Sequence, residues 1–174
     1  YEVSRSLAAC EGAVLVVDAT QGVEAQTVSN ASLAMNANLD IVPAINKIDL
    51  PSAHHDEVKT EIEDELAIPA DDAVCVSGKT GEGIHDLLEA IVFLISPPKG
   101  DLQAPLKALI LDSYFDEYRG VVATVRVFDG SISKGDQLVM MQADVPFMVD
   151  GVGVKCPAEV PVDSLSVGEV GFVV

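Results

Sequence analysis

Ile41-Val42-Pro43-Ala44-Ile45-Asn46-Lys47-Ile48-Asp49 is the stretch on which the fold turns. Ile41 to Ile45 reads as a strand, and Asn46-Lys47-Ile48-Asp49 leaves its end as a polar loop. In an open α/β sheet, ligands bind beyond the carboxyl ends of the strands. One strand-helix unit later, Ala73-Val74-Cys75-Val76 reads as the next strand, and Ser77-Gly78-Lys79 leaves it in the same way. Consecutive units of this kind place their strands side by side, so the two loops leave one edge and converge. Pro43 opposes this pattern. It has no N–H for a ladder and normally demotes a strand to an edge, but the strand reading stands.

The alternation extends outward in both directions. Ala13-Val14-Leu15-Val16-Val17, ending at Asp18, is an apolar run expected of a strand buried on both faces. Glu24 to Asn36 carries Val28, Ala31, Ser32 and Met35 at helical spacing. Asp56 to Leu66 places Val58, Ile62 and Leu66 on one face, with Glu57, Glu61, Glu63, Asp64 and Glu65 as a solvated remainder. Ile84, Leu87, Leu88, Ile91, Val92 and Ile95 give the clearest amphipathic helix. Strands alternating with helices predict an α/β fold, a parallel sheet with flanking helices.

Ser96-Pro97-Pro98-Lys99-Gly100-Asp101 breaks the alternation. The expected organisation is an α/β domain over 1–98, a linker over 99–103 and an all-β domain over 104–174. In the last, Leu106–Leu111, Val121–Phe128, Gln137–Met141, Phe147–Val154 and Val170–Val174 are strand-like. Asp129-Gly130, Lys134-Gly135-Asp136 and Asp150-Gly151 supply turns. Short strands joined by tight turns predict a small barrel.

The 174 residues carry 28 acidic and 10 basic side chains, a formal net charge of −18. Such a chain has no excess cation with which to release phosphate counterions, which argues against wrapping naked nucleic acid. Residues 1–100 hold 17 acidic and 5 basic side chains and residues 101–174 hold 11 and 5, so both halves share the excess. No apolar run approaches the roughly 18 residues of a membrane span. Cys10, Cys75 and Cys156 lack metal-ligand spacing and are expected to be small buried thiols in a reducing compartment. His54-His55 and His85 read as solvated, and no metal site is expected. Tyr1 is not Met, and Gly171-Phe172-Val173-Val174 ends on an apolar strand, so the expectation is an internal piece of a longer protein.

The residue types of the two loops suit guanine. The Asp49 carboxylate can accept from guanine N1–H and the 2-amino group, whereas adenine presents a lone pair at N1 and no 2-amino group. A site built on such bonds rejects the wrong base strongly. Asn46 can contact the base edge and tie the loops together. The stems of Lys47 and Lys79 can lie against the two purine faces. Gly78 N–H can donate to O6, and Ile48 points into the core. An ordinary polar loop explains four such residues equally well; the second loop, Ser77-Gly78-Lys79, tips the balance towards a nucleotide site.

With these residues in view, a resemblance emerges. Asn46-Lys47-Ile48-Asp49 and Ser77-Gly78-Lys79 resemble the fourth and fifth guanine-recognition motifs of translational GTPases. Val14-Leu15-Val16-Val17-Asp18-Ala19-Thr20-Gln21-Gly22-Val23-Glu24-Ala25-Gln26-Thr27 is similar to the strand and helix after the second switch. Three stretches narrow the match to the LepA (elongation factor 4) family: Ile45 to Ala53, Ala104 to Val121, and Gly151 to Val154 with Val160 to Gly171. The resemblance spans nearly the whole chain.

It implies the C-terminal half of a P-loop GTPase domain followed by a truncated domain 2 of translational GTPases. It implies GTP and GDP as ligands, GTP hydrolysis on the ribosome, and back-translocation on stalled ribosomes under stress. It further implies a cytoplasmic location, with peripheral association at the inner face of the bacterial membrane. The family's GxxxxGK[ST] loop, first-switch threonine and Asp-x-x-Gly-His segment are absent. Mg²⁺ therefore belongs to the complete protein only, and this chain alone is expected to be inactive. Gly78-Lys79-Thr80-Gly81 contains a GKT string without the glycine that a phosphate loop needs. Gly78 stands where the fifth motif usually has alanine, which keeps the N–H and loosens the loop. The alternative function is a non-catalytic ribosome-binding or structural module with a vestigial pocket; a third is an unrelated nucleotide-binding α/β domain.

Overall fold

The computed structural model describes residues 2–174, with side chains from residue 3 onward; Tyr1 lies outside the described residues. The chain divides into two units, Tyr1–Pro97 and Pro98–Val174.

The first unit runs α1 (Glu2–Leu7), β1 (Gly12–Asp18), α2 (Ala25–Asn36), β2 (Asp40–Asn46), α3 (His55–Leu66), β3 (Val74–Cys75) and α4 (Ile84–Leu94). The strands pair in parallel in the order β1-β2-β3. One core joins Val17 and Ile45 of the sheet to Ala31 of α2 and to Val58, Ile62 and Leu66 of α3. The α3 stripe is thus the one its spacing predicts.

Pro43 lies on the central strand rather than an edge, and the ladder explains why this is tolerated. In a parallel strand, alternate residues bond to opposite neighbours. Asp40 N–H donates to Glu11 and Asn46 C=O accepts from Ala19, both on the β1 side; Ile45 C=O accepts from Val76, on the β3 side. Pro43 has the parity of Ile45, so its missing N–H faces β3. The β2-β3 register covers only Ala44 and Ile45, so no ladder bond is lost.

Other expectations need correction. β1 is not buried on both faces: Val17 is buried and Val16 is 56% exposed, so one face is covered and the other is not. On α2 the buried residues are Ala31 and Ala34, while Met35 points outward. α4 buries no side chain fully, and Leu88, Val92 and Phe93 are exposed. The acidic run of α3 is not wholly solvated. Glu61 Oε2 accepts from Val23 N–H at 3.0 Å, and Glu63 Oε1 from Ala70 N–H at 2.9 Å. Gly22 passes against the Glu61 carboxylate at φ 71°, a conformation that a residue with a side chain rarely adopts. His54 precedes α3 and His55 opens it. Cys10, between α1 and β1, and Cys156, at the end of β9, are exposed, and only Cys75 is half-buried.

The second unit is all-β: β4 (Lys107–Asp116), β5 (Gly120–Asp129), β6 (Ser131–Ser133), β7 (Gln137–Met140), β8 (Val145–Met148), β9 (Val152–Cys156), β10 (Ala158–Pro161), β11 (Ser164–Ser166) and β12 (Val170–Val173). A five-stranded sheet of order β10-β9-β12-β5-β4 and the pairs β11-β6 and β7-β8 form a barrel-like arrangement. Val125, Val127, Ile132, Val149, Val152, Leu165 and Val173 are its core. Phe147–Val154 is not one strand; the chain turns at Val149-Asp150-Gly151 between β8 and β9. Within the segment read as a linker, Asp101 N–H donates to Asp129 Oδ1 at 3.0 Å, and Asp101 C=O accepts from Gly130.

Candidate nucleotide-base site

The loops after β1, β2 and β3 leave the sheet at its carboxyl edge. Asn46 joins two of them: its Oδ1 accepts from Lys47 N–H at 2.8 Å and from Gly78 N–H at 3.1 Å. The first bond holds Lys47 at φ 67°, a left-handed conformation uncommon for a residue with a side chain. A second tie lies deeper. Ser77, fully buried, donates its hydroxyl to Asp49 Oδ1 at 2.7 Å and accepts from Thr80 N–H at 3.1 Å. Ser77 C=O accepts from Gly81 and its N–H donates to Glu82, so the second loop is a closed turn.

These bonds shape a cavity of about 270 Å³ lined by Asn46, Lys47, Asp49, Leu50, Gly78 and Lys79. Of the seven residues expected at the site, five line it. Ile48 packs on the core of the unit, as its motif position predicts. Ser77 stands behind Asp49 and fixes it without reaching the cavity. Gly78 has no positive φ, and a methyl group there would meet only the Asn46 side chain, at 3.8 Å or more. The position therefore accepts alanine.

The sequence pattern did not single out Leu50 or Asp18. Leu50 adds an apolar wall. Asp18, at the end of β1, is paired in register with Asn46. Its Oδ1 accepts from Thr20 N–H and from Thr20 Oγ1, both at 2.8 Å, and its Oδ2 lies 2.6 Å from Lys47 Nζ. The Lys47 ammonium holds the Asp18 carboxyl down at about 2, and the Lys47 amine is raised in return. Lys79 is looser: its Nζ is 4.0 Å from Asp49 Oδ2 and its side chain is 82% exposed.

The cavity is thus bordered by a carboxylate, two lysines and the backbone of Gly78, whose N–H is engaged by Asn46. Comparison with known proteins gives the family. Residues 1–97 match the family model of the elongation factor Tu GTP-binding domain. The chain belongs to that GTP-binding family. Residues 105–156 match elongation factor G domain 2, which accounts for the all-β unit. Proteins named Elongation factor 4 are similar over 99% of the chain: 56% identical in Alkaliphilus oremlandii (strain OhILAs), 57% in Clostridioides difficile (strain 630) and 58% in Clostridium botulinum (strain Langeland). The chain spans 29% of the length of each of these relatives.

The second unit carries its own charged cluster. Arg119 Nη1 donates to Glu159 Oε2 at 2.6 Å, Tyr114 Oη donates to Glu159 Oε1 at 2.7 Å, and Asp116 Oδ1 accepts from Tyr118 N–H and Arg119 N–H, both at 2.9 Å. Tyr114, Asp116 and Arg119 thus fasten β4 and its turn to β10, while the Phe115 and Tyr118 side chains are exposed. No group of side chains able to hold a metal ion occurs among the described residues. None of their helices is long and apolar enough to cross a membrane.

Proposed function

We propose that the cavity bounded by Asn46, Lys47, Asp49, Gly78 and Lys79 binds the guanine base of GTP and GDP. One observation carries this: Asn46 Oδ1 accepts from Gly78 N–H while Ser77 donates to Asp49, so a carboxylate and a backbone donor are held together on one cavity. The Asp49 carboxylate accepts from N1–H and the 2-amino group, O6 shares Gly78 N–H with Asn46 Oδ1, and the lysine stems cover the purine faces.

The parent protein, on this reading, is a translational GTPase of the elongation factor 4 type. It hydrolyses GTP on the ribosome and promotes back-translocation there. Likeness to proteins named Elongation factor 4 supports this. A cytoplasmic protein with peripheral contact at the bacterial inner membrane fits the same reading. Phosphoryl transfer is positioning and charge stabilisation by a phosphate loop and Mg²⁺. Residues 1–174 contain neither the phosphate-loop nor the switch motif. They supply base recognition, and no turnover is expected from them alone.

The test is displacement of fluorescent GDP from the full-length protein that carries this chain. GTP should compete best, ITP less well because it lacks the 2-amino group, and ATP least. ATP competing as well as GTP would overturn the assignment.

A further inference from the structure

We infer that Asp18 is a positioning residue of the base site: it orders the Lys47 side chain as a wall of the cavity before any nucleotide arrives. The inference rests on the base-site reading above. Lys47 is fixed at both ends. At its backbone, Asn46 Oδ1 and the left-handed conformation set the direction in which the side chain leaves. At its tip, Asp18 Oδ2 holds the ammonium at 2.6 Å. Lys47 itself lines the cavity.

Asp18 is itself immobilised. Its two oxygens divide the work, Oδ1 taking both Thr20 donors and Oδ2 facing Lys47. Its backbone is locked to β2 by the Asp18–Asn46 register and by Ala19 N–H donating to Asn46 C=O. The strand that presents the anion is thus tied to the strand that presents the cation. Lysine has among the most rotamer freedom of any side chain to lose on ordering. Ordering it in the free protein removes that cost from binding. It also keeps the charge at the rim and the apolar stem against the ring. Lys79, with its ammonium 4.0 Å from Asp49 and its side chain 82% exposed, is the more loosely held wall opposite.

A double-mutant cycle on fluorescent GDP affinity in the full-length protein separates this role from a structural one. Asp18→Asn keeps an oxygen for Thr20 and removes the charge that holds Lys47. It should weaken GDP about tenfold. Lys47→Met keeps an apolar stem without an ammonium. In that background Asp18→Asn should cost less than about twofold, because the group it acts through is gone. Asp18→Ser replaces Asp18→Asn in the same cycle if the latter does not fold. An equal penalty in both backgrounds, or no penalty from Asp18→Asn alone, overturns the inference and leaves the base site standing. A wild-type protein that binds ADP as well as GDP overturns both.

Discussion

Each unit of the chain contains an ion pair of 2.6 Å, Lys47–Asp18 in the α/β unit and Arg119–Glu159 in the β unit. Their surroundings differ. Around Arg119, the partners serve one another: Glu159 takes Arg119 and Tyr114 on separate oxygens, and Asp116 takes two backbone donors and the guanidinium. The bonds run from β4 and its turn to β10 and fasten strands. Around Lys47 the neighbours retain capacity. Asp49 has one oxygen on Ser77, while its other oxygen has only an exposed lysine 4.0 Å away. Two equal distances therefore carry different meanings. Both pairs border a cavity, so the difference lies in the groups around them: a pair among satisfied partners is a fastening, and a pair beside an acceptor left open prepares a site.

The largest effect that could break this contrast comes from Asp49. Asp49→Asn turns one acceptor into a donor, which suits the C2 oxygen of xanthine and opposes the guanine 2-amino group. GTP affinity of the full-length protein should fall roughly 100-fold or more, with XTP preferred. Competition binding with both nucleotides reads it, and an unchanged GTP preference would sink the assignment. Next comes Ser77. Its hydroxyl is buried and serves Asp49 and Thr80 together. Ser77→Ala leaves Thr80 N–H and one carboxylate oxygen without that partner, which should cost about 1–3 kcal/mol of stability. Denaturant unfolding checks it. A loss of nucleotide affinity in the folded variant would sharpen the contrast, since Ser77 does not line the cavity itself.

The loops of the α/β unit were readable because each follows an apolar run and its polar residues fall within four positions. The Asp18–Lys47 pair was not. Its members are 29 residues apart, and only the parallel register of β1 with β2 brings them together. Pro43 misled for a related reason: which neighbour a residue faces depends on ladder parity, and composition is silent on that. In the β unit, β6 and β11 are Ser131-Ile132-Ser133 and Ser164-Leu165-Ser166. One apolar residue between serines gives no periodicity, yet Ile132 and Leu165 are fully buried. The exposed face of α4 shows the opposite failure. Leu88, Val92 and Phe93 satisfy an apolar pattern, and no neighbour among the described residues covers them fully.

The smallest effect is expected at the fastening in the β unit. Glu159 is held below the ordinary carboxylate range, first by the Arg119 hydrogen bond and then by Tyr114; Asp116 is lowered first by the Tyr118 and Arg119 backbone donors. A carboxyl with a lower pKa folded than unfolded stabilises the fold above its unfolded value, and that stability is lost as pH falls. Tyr114 has the opposite sign. The hydrogen bond to Glu159 raises its phenol, so its contribution is complete below the ordinary tyrosine value and is lost as pH rises past the folded one. The Tyr114–Glu159 bond thus works between the carboxylate range and about pH 10. Exposed pairs of this type contribute little each. Glu159→Gln should lower the melting temperature of the chain slightly at about pH 7, and the difference from wild type should close as pH falls through the lowered Glu159 value. GDP affinity of the full-length protein should stay within about twofold, because the cluster bonds to itself and not to the base cavity. A tenfold loss of GDP affinity would mean that the β unit takes part in nucleotide binding, and the division of labour between the two ion pairs would have to be withdrawn.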